Sequence, residues 1–327
     1  MNTMNILISL LQLILIPACS PLCVGVIRKI KARMQGRIGA SVFQPYRDLL
    51  KFFQKDEVIS FDASWISRFA PYLIFAVTVV LGASIPAVTA LTLSLGGTEG
   101  EWITLFPLGD FLVIVYLLML STFLLALMGM DAGGGFGGFG ASREMTMAAL
   151  AEGGLVFSLL VVSLLSGTGN VMSMVENLKD FSLTESMPLF IAFMAFFIAL
   201  LSENGRFPVD NPATHLELTM IHEAMLLEHS GKRLALLEWA AANKLFIFLS
   251  LGVTVFFPWG VPTIIEALNF GALFFGVFLF VAKILILLLA IAFIESTMAK
   301  FRIFRVPDLL VTSFVLSIIA LVITLAF

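Results

Sequence analysis

An all-α polytopic membrane protein is predicted by three features of this 327-residue sequence: 60% hydrophobic residues, only 13% charged ones, and apolar runs long enough to cross a bilayer. A globular domain of ordinary composition holds about 45–50% apolar and about 25% charged residues. The mean hydropathy of +1.04 points the same way. This composition excludes a soluble enzyme, a nucleic-acid binder and a disordered regulator, and a net charge of -3 gives no general attraction to polyanions. Cys19 and Cys23 sit in one apolar stretch and cannot build a disulfide framework.

A helix crosses the hydrocarbon core in about 20 mainly apolar residues, because backbone amides in lipid must be satisfied within the segment itself. About eight runs fit: 6–27, 69–95, 111–130, 145–166, 187–202, 245–258, 271–296 and 309–327. The fifth and sixth are short, and Pro258 closes the sixth. Pro17 and Pro21 bend the first helix and Pro86 the second, since proline removes a backbone donor. The first run is no signal peptide: Met1–Asn5 carries no charge and a basic cluster follows the run, so it reads as a retained helix.

Lys and Arg placement sets the orientation. The first connection, 28–68, holds Arg28, Lys29, Lys31, Arg33, Arg37, Arg47, Lys51, Lys55 and Arg68. The third, 131–144, holds Arg143; the fifth, 203–244, holds Arg206, Lys232, Arg233 and Lys244; the seventh, 297–308, holds Lys300, Arg302 and Arg305. Of the 19 basic residues this leaves only Lys179 in an even-numbered connection and Lys283 within a run. Both termini are therefore expected outside and these four loops in the cytoplasm. The whole chain, 1–327, reads as one transmembrane domain with no internal repeat.

The first cytoplasmic loop contains an amphipathic segment opening at Gln44-Pro45. Phe43, Tyr46, Leu49/Leu50 and Phe53 recur at helical spacing, with Arg47, Asp48, Lys51 and Lys55 between them. Such a helix lies at the interface or against a partner. The third loop runs Gly133-Gly134-Gly135-Phe136-Gly137-Gly138-Phe139-Gly140 and formally contains G-x-G-x-x-G. That motif means dinucleotide binding only between a strand and a helix. Here the glycines serve close backbone approach or left-handed turns.

The fifth loop is the richest. Pro208 and Pro212 break the helix leaving the membrane, and Asn211 is placed to cap a new one with Gly231 past its end. On that helix Glu217 and Glu228 fall on one face, with Met220, Ile221 and Ala224 between them. His215, His222 and His229 recur at seven-residue intervals on another stripe. Seven residues rise about 10.5 Å, too far for one ion with bonds near ~2 Å. No metal site is expected, and the histidines read as a solvated polar face.

Glu152 lies inside the fourth run and Lys283 near the middle of the seventh, with Glu295 at its inner end; Glu203 ends the fifth and Glu144 opens the fourth. A charge at the bilayer centre costs about 2.5–3.5 kcal/mol on insertion scales. Such residues face a bundle interior or a wet cavity and suggest a proton or ion route. Snorkelling at a helix end is the alternative for Glu295 and Glu144, and a packing pair the alternative for Glu152 and Lys283.

At these residues the chain resembles the membrane subunit that joins the redox arm to the membrane arm in complex I and its hydrogenase relatives. The resemblance spans the whole chain. It rests on Gly36-Arg37-Ile38-Gly39 with Gln44-Pro45, Asp48 and Lys51; on Gly140-Ala141, Arg143 and Glu152; and on Glu203-Asn204, Arg206, Pro208, Asp210, Pro212, Glu217-Leu218, Glu228 and Ser230. Gly39-Ala40-Ser41, then Phe43-Gln44-Pro45-Tyr46-Arg47-Asp48-Leu49, and Asp210-Asn211-Pro212-Ala213-Thr214-His215-Leu216-Glu217-Leu218 are similar to the energy-converting membrane-bound [NiFe]-hydrogenases, formate hydrogenlyase among them. Ala213 and His215 stand where the quinone-reducing branch carries glutamates.

The resemblance implies an anchoring and coupling subunit in a prokaryotic plasma (inner) membrane, part of an oxidoreductase with no redox centre of its own. It implies docking to hydrogenase small and large subunits and a ferredoxin-like Fe–S subunit through Arg37, Gln44, Arg47, Asp48 and Arg206. A proton path would run through Glu203, Asp210, Glu217, Glu228, Glu152, Arg143, Glu144, His222 and Lys283 towards antiporter-like membrane subunits. Fe–S clusters and the NiFe centre belong to the partners, since a cluster needs about four thiolates and this chain has 2 cysteines. Alternatives are a quinone-binding subunit of an NADH:quinone oxidoreductase-type complex and a stand-alone secondary transporter.

Overall fold

The computed structural model describes residues 3–85, 109–131, 133–179, 187–210, 220–260 and 270–326. It is helical, with no β-strand among the described residues. The elements are α1 (Thr3–Met34), α2 (Gln44–Gln54), α3 (Trp65–Ser84), α4 (Phe111–Asp131), α5 (Gly135–Ser166), α6 (Val171–Asn177), α7 (Met187–Glu203), α8 (His222–Leu226), α9 (Gly231–Val255), α10 (Phe270–Thr297) and α11 (Val306–Ala326). Six of these, α3, α4, α5, α9, α10 and α11, are long and apolar enough to cross a membrane, and α7 is a shorter apolar helix. Each of the eight apolar runs lies largely within a helix, the fifth in the shorter α7; the part of the second beyond residue 85, with Pro86, lies outside the described residues.

The centre of the bundle is α9, where every residue from Ala242 to Val255 is buried. A helix buried on all sides needs apolar residues all round, and Leu245–Val255 supplies them. This helix starts at Gly231 rather than near residue 245, because Lys232, Arg233, Glu238 and Lys244 interrupt the apolar run without interrupting the helix. Around it pack α1, α2, α3, α7 and α10, while α5, α7 and α11 pack against one another.

Proline explains how α1 meets α9. Pro21 has no N–H to give the carbonyl of Pro17 four residues earlier. That carbonyl instead accepts the indole Nε1–H of Trp239 on α9 at 2.8 Å. One turn on, the Ser20 hydroxyl donates to Asn243 Oδ1 at 2.6 Å, and Asn243 Nδ2 donates to Thr78 Oγ1 on α3 at 3.2 Å. Ser20, Asn243 and Thr78 are all buried, so three helices are joined by a polar chain inside the bundle.

Helix α2 confirms the amphipathic reading of the first loop. It lies on its own chain: Tyr46 donates to the Ala18 carbonyl, and Phe53 meets Trp239 edge-on with centroids 6.2 Å apart. Lys51 and Arg47 are exposed.

Two loop expectations are corrected. The glycine-rich stretch is not a loop: α5 begins at Gly135, and the turn before it uses Gly133 in the left-handed region, at φ 70°. Close approach does hold at Gly140, where an added Cβ would stand 2.8 Å from both the Ala224 Cβ and the Ile221 carbonyl oxygen. Nor does one continuous helix occupy the fifth loop. Met220 and Ile221 are not helical, α8 has 5 residues, Glu228 lies in the turn after it, and Gly231 opens α9. The cause is burial: Met220, Ile221, Ala224, Met225 and Leu226 are all buried, a spread wider than one face of a surface helix can hide.

Replacing Asn243 by alanine strands partners in the α1–α3–α9 chain and is expected to cost about 1–3 kcal/mol. A lowered thermal midpoint of the detergent-solubilised chain, with unchanged helix content by circular dichroism, is the measurement; an unchanged midpoint would show that the polar chain contributes nothing.

Candidate functional site

Charged groups converge where the last turns of α1, α7 and α10 meet the first half of α5 and the middle of α9. Glu203, the last residue of α7, is buried; its Oε2 accepts from Lys244 Nζ on α9 at 2.8 Å. Lys244 also donates to Thr122 Oγ1 on α4 at 2.8 Å. The other carboxylate oxygen, Glu203 Oε1, is buried with no hydrogen-bond partner among the described residues. Glu144 is buried on α5 within electrostatic reach of Lys244, Glu203 and Asp210, and half-buried Glu152, two turns on, is within reach of Glu203 and Lys244.

Two further buried acids carry their own cations. Asp210 accepts from Lys300 Nζ at 2.8 Å and from the His222 backbone N–H at 3.3 Å. Glu295 on α10 lies between Lys31 Nζ at 3.2 Å and Arg206 at 3.3 Å, with the Lys31 ammonium also 4.7 Å from the Phe207 ring centre. Glu295 therefore does not snorkel; it is locked inside.

Beside this cluster lies a cavity of about 640 Å³ between α1, α2, α9 and the segment after α7. Arg28, Arg37, Asp48, Arg206, Glu223 and Glu238 contribute to its wall. Asn204 and His222 line it too, and each holds a buried atom, Oδ1 and Nδ1, without a hydrogen-bond partner among the described residues.

Of the three histidines, the two described, His222 and His229, are not on a solvated face. Burial, assisted by the Lys244 charge, pushes His222 down to about 4, with Asp210 opposing. Burial and then Arg233 push His229 to about 4. Burial also lifts Glu223 to about 7, assisted by Glu238 and Asp210 and opposed by Arg28 and Arg206. His222 is therefore a neutral imidazole at working pH, able to accept and donate at its two nitrogens.

Of the residues expected on a proton path, Glu203, Asp210, Glu144 and His222 come together here, with Glu152 beyond. Arg143 donates to the Met220 carbonyl at 3.2 Å and holds the fifth loop against α5. Glu228 is exposed, next to Gly134. Glu217, like His215, lies outside the described residues. Lys283 is elsewhere: its Nζ donates to the carbonyls of Phe257, at 2.6 Å, and Trp259. Those carbonyls lie at the far end of α9, about 20 Å along the axis from Lys244. It closes the open end of a helix and is no partner of Glu152 in that geometry. Among the docking candidates, Arg37 and Arg47 are exposed, Gln44 Nε2 donates to Asp48 Oδ1 at 2.8 Å, and Arg206 is held by Glu295.

Sequence reading misses Lys244, Glu223 and Glu238. Lys244 counts there among the loop cations, although its place next to an uninterrupted apolar run is a signal. Nothing in local sequence pairs it with a glutamate 41 residues away.

Comparison with known proteins follows the same lines. The family described as NADH dehydrogenase matches residues 6–326. The chain belongs to that family. Within it, the chain is 30% identical to formate hydrogenlyase subunit 4 of Escherichia coli (strain K12), covering 99% of this chain and 100% of the relative. Hydrogenase-4 component C of the same organism is 31% identical over 91% of this chain and 89% of its own length. The fold matches a chain of the membrane-bound sulfane sulfur reductase, an archaeal respiratory membrane complex, with a TM-score of 0.80, 21% identity, and coverage of 98% and 99%. This NADH dehydrogenase family member is thus a multi-pass membrane protein, similar to a formate hydrogenlyase subunit, a hydrogenase-4 component and a chain of an archaeal respiratory membrane complex.

The titrations have a fixed sign. His222 and His229 lie near 4 when folded against 6.5 unfolded, so their contribution is complete above 6.5 and lost as pH falls towards 4. Glu223 is near 7 folded against 4.5 unfolded, so its contribution is complete below 4.5 and lost as pH rises through 7. The histidine contribution changes between 6.5 and 4, and a variant lacking both histidines lacks that change. On acidification across that window the wild type should lose thermal midpoint relative to a His222→Gln/His229→Gln variant; parallel curves would contradict these shifts.

Proposed function

We propose that this chain is the membrane-anchoring and coupling subunit of a complex-I-like, membrane-bound hydrogenase. In this reading it links electron transfer and H2 evolution in a peripheral arm to proton or sodium translocation in the membrane arm. Eight spans then leave both termini outside and the charged cluster on the cytoplasmic side. The names of the formate hydrogenlyase and hydrogenase-4 relatives support the hydrogenase branch.

The observation that carries the reading is the Glu203–Lys244 pair with one glutamate oxygen left unpartnered among the described residues. Burying two charges costs several kcal/mol per ion, and an apolar pair of similar volume is often as stable or more so. A pair kept there in spite of that cost, beside further acids and a cavity, suits a place where charge must change. A reduction step in a docked partner alters the field at Glu223, Asp210 and Glu203, and the carboxylates respond by taking up or releasing protons. Exposed Arg37 and Arg47 and the outer face of α2 offer the contact surface for the hydrogenase subunits and the ferredoxin-like subunit.

A second reading, quinone binding, draws on the cavity, whose wall joins apolar Pro21, Val24, Leu49 and Phe52 to charged groups. Quinone retained by the purified assembly would favour it.

Glu203→Gln should leave the assembly intact and strongly reduce redox-driven ion translocation in sealed vesicles. Normal translocation by this variant would remove Glu203 from the route.

A further inference from the structure

We propose that the face built by the end of α1 and the exposed side of α2 takes an acidic protein segment, with carboxylates set against the row Arg47, Lys51 and Lys55. This rests on the proposed function, which puts docked subunits on this face, and names the chemistry that those subunits bring.

Between Arg28 and Lys55 the chain holds 8 basic residues against one acid, Asp48. Two of the eight are used internally: Lys29 donates to the Ile38 carbonyl at 2.8 Å, and Lys31 pairs with Glu295 at 3.2 Å. The other six, Arg28, Arg33, Arg37, Arg47, Lys51 and Lys55, are exposed. None of them pairs with a carboxylate among the described residues. Asp48 itself is held by Gln44 Nε2 at 2.8 Å. Arg47, Lys51 and Lys55 recur every four residues along α2 and its cap, which sets them in one line about 6 Å apart. Like charges at this spacing repel and weaken a helix. Carboxylates of a partner laid along the line turn that repulsion into attraction.

Four of the six, Arg28, Arg37, Lys51 and Lys55, also line the cavity, and being exposed where Glu295 on the same wall is buried, they stand at its opening. A segment bridging them closes the cavity from water. Exposed Ile38, Phe43 and Leu50 lie among the cations, so the occupant combines carboxylates with apolar side chains. A protein fits this face better than an anionic lipid surface does. Helix α1 continues for seven residues past the end of its apolar run at Ile27, about 10 Å, and so carries Arg33 and the turn with Arg37 away from the hydrocarbon. Helix α2 is held lower, with Tyr46 bonded to the Ala18 carbonyl in the first apolar run. A flat layer of phosphates meets α2 alone, whereas a folded partner reaches both levels.

The test uses the assembled complex in mild detergent and a water-soluble carbodiimide, which joins an amine to a carboxylate in direct contact. Lys51 or Lys55 should be joined to an aspartate or glutamate of a water-soluble subunit. Links found elsewhere in the assembly but at neither lysine would overturn the proposal. Charge reversal is the second arm: Lys51→Glu/Lys55→Glu should cut the soluble subunits that co-purify by about tenfold or more, with the thermal midpoint of the membrane chain unchanged. Full retention of those subunits would overturn it. The third arm acetylates the full-length chain in nanodiscs of phosphatidylcholine or of phosphatidylglycerol. Equal labelling of Lys51 and Lys55 in both supports a protein occupant; protection by phosphatidylglycerol, with none in the assembled complex, would give the face to lipid instead. The proposed function fails separately. If the lysines link to an acidic segment of an assembly without hydrogenase subunits, the docking face stands and the hydrogenase reading falls. If hydrogenase subunits stay bound through the charge reversal, the hydrogenase reading stands and the acidic contact falls.

Discussion

A carboxylate that stays ionised away from water needs a cation close by, and that requirement organises the half of this molecule that holds the charged cluster. Glu203, Asp210 and Glu295 are all buried, and each is answered by lysine or arginine from a distant part of the chain. The pairs tie α7 to α9, the segment after α7 to the approach to α11, and α10 to both α1 and that same segment. Neutralisation and architecture are here the same set of bonds. Helix ends that would otherwise splay are held by the charges they bring in.

The first and fifth loops are joined separately. Ser230 Oγ accepts from the Val58 N–H at 2.9 Å and donates to the Val58 carbonyl at 3.2 Å, with Arg233 and Glu57 3.5 Å apart beside them. Asp131, ending α4, takes the Ser64 and Ser67 amides and the Ser67 hydroxyl at the start of α3. Residues 57–67 are consequently tied to the start of α9 and the end of α4.

Much of this is legible in the sequence, and the reason is period and length. The eight apolar runs follow from residue counts that lipid imposes, and α2 from the spacing of Phe43, Tyr46, Leu49 and Phe53. The buried acids Glu203 and Glu144 announce themselves by standing at the edges of apolar runs. What stays hidden depends on contacts between remote segments. No local pattern reveals that Lys244 continues a helix instead of ending a loop, because the group that makes it tolerable, Glu203, is supplied by another helix. The break of the fifth loop at Met220–Ile221 is hidden for a similar reason: periodicity allows one helix, and the groove between α4 and α5 demands two faces. Lys283 misleads because a lysine in mid-run reads alike whether it meets an acid or a carbonyl.

The bond between Trp239 and the Pro17 carbonyl links two positions that are 222 residues apart. Pro21 creates the need and the indole meets it, so neither residue is independently replaceable. Restoring an amide at position 21 would let the first helix close its own ladder and leave the indole N–H competing for an acceptor already taken. Removing the indole would leave the carbonyl only the longer 3.4 Å contact with the Ser20 hydroxyl. Across descendants of this chain the two sites should drift together or not at all, a piece of epistasis written by one missing hydrogen.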